Sequence, residues 1–319
     1  MLNANMADEV RVVIDETSFD FRGLEASSIE DYLDDFSDTV WELREDSIAT
    51  WKPPMLEAVT CADGYELFSY LMGAPGNLID RDTRLRFFSL IGKCPEWDDS
   101  APEYLEVTFT EGAPVMALSA AFALTLALRR QGVACLVFGA CTRHDFVTVS
   151  SGAACANIFF FTTAAALKVF WRSLYELEDI PEADFFTLAN LAFPDLLFNP
   201  DLTFRRFEGA YRDLRRLIVS HLSVLNDDFL RAYRAANGIA RDVEATLASI
   251  GCPGISPESP NTHKKERVMR MRDVEYRGSA IRCEWHTKIE PHRNRIHFAF
   301  GDSFGSMIFV GIFVDHLDT

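Results

Sequence analysis

The chain has 319 residues, 48% hydrophobic and 25% charged, which excludes a disordered or fibrous polymer and gives length enough for two cores. Its formal net charge is −17 at pH 7, but residues 1–110 carry 24 Asp and Glu against 8 Lys and Arg, and residues 261–300 carry 5 against 10. The acidic total therefore does not exclude a polyanionic partner, because the local patch decides that. No basic-then-apolar leader opens the chain, so no signal peptide is expected. The most apolar runs, Ala113 to Leu128 and Ala153 to Phe170, fall short of the ~20 residues that cross a bilayer. Seven cysteines without a CxxC pair suit reduced thiols in a cytoplasm and give no metal signature.

Taken in order, Glu9 to Ile14 reads as a first strand, and Ser28 to Ile48 as an acidic amphipathic helix capped by Ser27 or Ser28. Gly64 to Met72 reads as helical, ahead of a Gly/Pro turn at Gly73-Ala-Pro-Gly76. Tyr104 to Phe109 alternates as a strand, Ala117 to Arg130 is an apolar helix stopped near Gly132, and Val133 to Gly139 is a short buried strand. Phe146 to Val149 is a further strand. Helices follow at Ala164 to Leu177 and Phe185 to Ala192, and a long helical pattern over Phe204 to Ala235 carries a break at Asn226-Asp-Asp228. A second helix runs from there to about Ile250. Gly139-Ala-Cys141 lacks both phosphate-loop signatures, and a Cys141, His144, Asp145 thiol site is the weaker reading beside a buried cysteine.

Gly251 to Pro260, rich in Gly, Pro and Ser, marks the best boundary. The expected organisation is α+β: a larger mixed α/β domain with long helices over 1–250, a linker over 251–262, and a small antiparallel sheet over 263–319. The basic run Asn261 to Arg272 leads into that sheet. Ile281, Cys283, Trp285, Thr287 and Ile289 alternate with Arg282, Glu284, His286 and Lys288, the mark of a half-buried strand. Ile296, Phe298 and Phe300 alternate with Arg295 and His297 in a second strand. If Ile289 and Asn294 close the loop between them, His286 lies opposite His297 and Lys288 opposite Arg295, with Cβ atoms roughly 5 Å apart. Met307 to Val314 is apolar on both faces and reads as a central strand ending near His316.

This order of an HxK strand, a short basic loop, an RIHF strand, an apolar strand and a terminal HL resembles the C-terminal half of RelE/HigB-type toxins. The residues that carry it are His286, Lys288, Arg293, Arg295, Ile296, Phe298 and His316, and the family's usual C-terminal aromatic acid/base has no counterpart among them. The resemblance covers the last quarter of the chain. It implies a RelE-like sheet, a metal-independent endoribonuclease without a cofactor, RNA or the ribosome as partner, and an antitoxin or defence-system protein in a bacterial setting. On that reading His286, Lys288, Arg295 and His316 are the catalytic candidates, and Arg293, His297 and Arg282 bind substrate.

Histidine titrates near neutral pH and serves as base or acid, while Arg and Lys hold and neutralise a phosphate. Two cations and two imidazoles facing one another without carboxylates invite an anion, because like charges directly opposite are costly. A non-catalytic RNA-binding or protein-interaction module using the same basic face is the alternative. A metal site from His286, His297 and His316 with Glu284 or Asp315 is disfavoured by the adjacent cations.

Overall fold

The computed structural model describes residues 9–73, 78–97, 106–110 and 112–317. It is a mixed α/β structure with about ten helices and several sheets. The chain divides into two compact units, Met1–Phe170 and Trp171–Thr319. The segment 251–262, expected as a linker, lies inside the second unit.

In the first unit β1 (Val12–Ile14) is followed by α1 (Ala26–Glu45) and β2 (Thr50–Trp51). The short β3 (Thr60–Ala62) and β4 (Tyr65–Glu66) lead to α2 (Leu67–Gly73) and α3 (Arg81–Ile91). Then come β5 (Glu106–Phe109), β6 (Val115–Met116), α4 (Leu118–Leu128), β7 (Ala134–Leu136), β8 (Asp145–Ser151) and β9 (Ala154–Phe161). The sheet order is β2-β1-β7-β9-β8-β5-β6, with β2, β1, β7 and β9 parallel and the rest antiparallel. Ile29, Leu33, Phe36, Val40 and Leu43 of α1 are buried at helical spacing. That helix starts at Ala26 behind Glu25, which makes no side-chain cap, so the expected Ser27 or Ser28 cap is not used. Of the expected turn and strand, residues 74–76 and 104–105 lie outside the described residues.

In the second unit α5 (Leu167–Leu177, which begins just before the division) and α6 (Phe185–Ala192) precede β10 (Leu196–Phe198). The long helical pattern resolves into α7 (Tyr211–Val224), a π-type turn at Leu225–Phe229, α8 (Leu230–Ala235) and α9 (Ala240–Ser249). Asn226, Asp227 and Asp228 therefore widen the helix locally rather than break it. The Gly/Pro-rich segment forms β11 (Ile255–Pro257), and the basic run forms the short α10 (Pro260–His263) and α11 (Glu266–Met269). β12 (Asp273–Tyr276) pairs with β13 (Ser279–Arg282), and β14 (Trp285–Lys288), β15 (Arg295–Ala299) and β16 (Ile308–Val314) complete the unit.

The main sheet runs β10-β16-β15-β14-β11. Each of β14, β15 and β16 is antiparallel to the next, β11 is antiparallel to β14, and β10 is parallel to β16. β16 is buried at every residue because both faces are covered, which is why its sequence is apolar throughout. On one face Phe229 packs edge-on against Trp285, Phe298 and Phe300. On the other, Val274, Tyr276 and Ile281 of the β12–β13 hairpin pack around Cys283, Ala299 and Phe309. A Cβ at Gly311 would collide with the Cys283 sulfur, so only glycine lets that hairpin approach. The single strand expected over Ile281 to Ile289 is thus two strands belonging to different sheets, parted at Cys283 and Glu284.

Candidate active site

The hairpin closes as its pattern requires. Ile289 N–H donates to the Asn294 carbonyl at 2.8 Å, and Asn294 takes a left-handed conformation at φ 59°. His286 then pairs with His297, and Lys288 with Arg295. The two imidazole centroids are 5.2 Å apart. β11 extends the same face, since Ser256 lies opposite His286, and Glu258, two residues on, keeps its parity. The Glu258 N–H continues the ladder by donating to the Glu284 carbonyl at 2.8 Å. Arg272 enters from the start of the β12–β13 hairpin, where its carbonyl accepts from Cys283 N–H at 2.9 Å.

Three nitrogen groups converge on one carboxylate oxygen. Arg272 Nε is 2.7 Å from Glu258 Oε1, His286 Nδ1 is 3.5 Å away and His297 Nδ1 3.8 Å away. The two imidazole distances are longer than a full hydrogen bond. Among the described residues both ring nitrogens of His297 lack a hydrogen-bond partner, and that side chain is 1% exposed. Glu258, His286, His297, Arg272, Lys288, Arg295, the hydroxyls of Ser256, Ser259 and Thr262, and the apolar Pro257 and Leu317 line a cavity of about 210 Å³. Neither Lys288 nor Arg295 forms an ion pair with a carboxylate among the described residues.

Burial opposes charge on Glu258, yet His286 and the Arg272 guanidinium beside it hold its carboxyl down at about 2. It is ionised at neutral pH. Burial, reinforced by His286 and the guanidiniums, pushes His297 down to about 3, so that imidazole is neutral and offers one donor and one acceptor. Burial also lowers Arg295 from its ordinary value.

The sequence-expected residues separate into two groups. His286, Lys288, Arg295 and His297 line the cavity together. Arg282 sits on β13 and is held by Asp273 at 2.6 Å and Glu266 at 3.2 Å. Arg293 lies in the exposed loop against Glu290 at 2.9 Å and Glu208 at 3.2 Å. His316 is exposed beyond β16 and does not line the cavity. Arg272, Thr262 and Leu317 border the same space as His286 and His297, which are 8% and 1% exposed. Glu258 and Arg272 were not foreseen. Ile255-Ser-Pro-Glu258 holds a short alternation, but its Pro and Gly neighbours made it read as linker, and Arg272 does not stand out from Arg267 and Arg270 in the basic run.

Glu258, His286 and His297 bring donor atoms within 4.8 Å of one another, a set that in isolation suits a divalent cation. Here Arg272 already occupies Glu258, and Lys288 and Arg295 line the same space. A dication would meet three positive groups and one negative, whereas an anion would be welcomed by all three.

Two other buried clusters lack such a surplus. In the first unit Glu16 Oε1 accepts from Leu118 N–H and Oε2 from Ser119 N–H at 3.2 Å, capping α4. Asp15 accepts from Thr17 Oγ1 at 2.7 Å and from Arg143 Nη2 at 2.8 Å. On the far face of the second sheet His221 Nδ1 lies 2.5 Å from Thr287 Oγ1 and 3.3 Å from Cys252 Sγ. Burial pushes Cys252 up to about 11 and His221 down to about 4, the reverse of an activated thiol pair. Burial likewise raises Cys141, and among the described residues its thiol accepts from the Arg143 N–H at 3.5 Å.

Compared with known proteins, the chain matches no family model, no curated protein and no solved structure. The chemistry of the cavity is therefore read from its geometry.

Proposed function

We propose that this protein is a toxin-like ribonuclease, cutting RNA by acid/base chemistry in the cavity of its C-terminal sheet. The observation that supports it most is an ionised carboxylate set beside an imidazole, inside a cavity lined by three cations. The Glu258 charge, 3.5 Å from Nδ1, favours a proton on that side of the His286 ring and leaves the other nitrogen to exchange a proton with substrate. His286 takes the proton of a ribose 2′-hydroxyl. The O2′ attacks phosphorus, the bond to O5′ breaks, and Lys288 supplies the proton that the leaving oxygen needs. The products are a 2′,3′-cyclic phosphate and a 5′-hydroxyl. Arg295 neutralises the charge that builds on the phosphorus oxygens, and the charge of Glu258 bears on the base. His316, Arg282 and Arg293 have no part in this arrangement.

The reading keeps the RelE-like character of the β14–β15–β16 sheet, a bacterial toxin–antitoxin or antiviral-defence setting, a cytoplasmic location, RNA or the ribosome as target, and a partner protein that restrains the enzyme. Seven free cysteines, four of them buried, accord with a reducing compartment. Purified full-length chain is incubated with total RNA in EDTA, beside a His286→Ala, Lys288→Ala double variant. The expected result is fragments with 2′,3′-cyclic ends from the wild type alone, and growth inhibition in cells that is lost with them. RNA bound but uncut by wild type would point instead to a non-catalytic binding module. Cleavage abolished by EDTA would point to a metal.

A further inference from the structure

The groups deepest in the cavity are those with most to offer a ligand. Arg272 and His297 are each 1% exposed and Glu258 is 6% exposed, while Lys288 and Arg295 are more open and stand nearer the mouth. His297 brings two ring nitrogens without protein partners to this floor. Around them the cations outnumber the carboxylate, so the cavity carries a net positive charge whatever the state of His286.

An internal phosphodiester carries one charge and a sugar on each side. Such a group can meet Lys288 and Arg295 at the mouth, but its two substituents keep its oxygens from the floor. A terminal phosphomonoester has one substituent, three free oxygens and a charge near −1.5 to −2 at neutral pH. The cavity, at about 210 Å³, holds several times the ~30 Å³ that a water occupies in the liquid, enough for such a group to enter end-on.

We propose that the floor formed by Arg272 and His297 binds the terminal phosphate of an RNA strand, so that the linkage presented to His286 and Lys288 is one close to a phosphorylated end. This rests on the ribonuclease reading and narrows its substrate class from any RNA to RNA with a phosphorylated terminus. His297, being neutral, donates one N–H to a phosphate oxygen and needs no proton from solvent to do so. Arg272, whose Nε faces Glu258 and whose Nη1 donates to the Val268 carbonyl at 2.9 Å, adds its positive charge to that floor.

The test uses the full-length chain and one short single-stranded RNA in three forms: 5′-phosphorylated, 3′-phosphorylated, and hydroxyl at both ends. Affinity is read by fluorescence anisotropy from an internal label, and cut sites by gel. Hydrogen bonds to a charged group contribute about 1.5–3 kcal/mol, so one phosphorylated form is expected to bind roughly 10–100-fold tighter than the hydroxyl form. Its cuts are expected to cluster next to that end, and the arm that wins identifies the terminus. His297→Gln is expected to shrink the preference to less than twofold. Inorganic phosphate added to wild type should erase it without any substitution. Equal affinity and equal cut patterns for all three RNAs would overturn the inference and leave the ribonuclease reading standing. A terminal-phosphate preference without cleavage would keep the phosphate site and end the ribonuclease reading.

Discussion

Glu16 in the first unit and Glu258 in the second are both buried carboxylates, 8% and 6% exposed, and each stands just past the end of a strand. Their surroundings push them in opposite directions. Burial and the neighbouring Asp15 charge raise Glu16 to about 7, while His286 and Arg272 overcome burial to hold Glu258 at about 2. Glu16 spends its oxygens on the first N–H groups of α4, and Asp15 spends its own on Thr17 and Arg143. Both carboxylates there are matched by donors, with Ser119 Oγ and Arg143 Nε left without a hydrogen bond among the described residues, and the one guanidinium is already paired with Asp15. Around Glu258 two further cations and an imidazole without partners face an open cavity. Polar groups that satisfy one another stabilise a fold, whereas donors left over around a space are suited to a ligand.

The comparison breaks first at His286. Its replacement by Ala is expected to slow RNA cleavage by ~10²–10⁴, read by single-turnover kinetics, with the circular dichroism of the native fold retained. A change of less than twofold would place the chemistry elsewhere. Next, Glu258→Gln strips Arg272 of its counter-charge while it stays buried, which costs about 3–5 kcal/mol of unfolding free energy. Glu16→Gln keeps an oxygen for the α4 N–H groups and is expected to cost about 1 kcal/mol or less. Denaturant melts of the two variants measure that contrast, and equal losses would erase the distinction drawn here.

The pH dependence sharpens it further. Glu258 is lowered from 4.5 to about 2, so its contribution is present above 4.5 and lost as pH falls toward 2. His297, lowered from 6.5 to about 3, adds a loss as pH falls below 6.5, because the unfolded chain takes up a proton that the native imidazole refuses. Glu16 runs the other way. Raised from 4.5 to about 7, it contributes fully below 4.5, and that contribution fades as pH rises through 7. Hydrogen exchange followed from pH 4.5 to 7 should show the second unit gaining protection and the first losing it. The smallest effect belongs to Arg282→Ala, where a partly exposed ion pair is worth about 0.2–1 kcal/mol and cleavage should not change.

Much of the second sheet was legible in the sequence because alternation and parity are local. The pairing of His286 with His297 and of Lys288 with Arg295 follows from keeping Trp285 and Phe298 on one face. What lay beyond reach was contributed from a distance. Ser256 and Glu258 reach the site only because a Pro-bearing segment pairs at the sheet edge, where a missing N–H is tolerated. Arg272 is separated from its neighbours in the basic run only by where the β12–β13 hairpin folds. The same hairpin took Arg282 out of the site, since a change of strand at Cys283 looks in sequence like an unbroken alternation. In the first unit the apolar run Ala153 to Phe170 gave no sign of choosing strand over helix, and its first part became strand where β8 and β7 flank it.

The most direct measurement compares one RNA strand with a copy in which every ribose lacks its 2′-hydroxyl, both given to the full-length wild-type chain in EDTA. Acid/base attack by the 2′-oxygen predicts that the ribose strand is cut to 2′,3′-cyclic ends and the deoxy strand stays whole. Cleavage of both strands, or of neither, would contradict it.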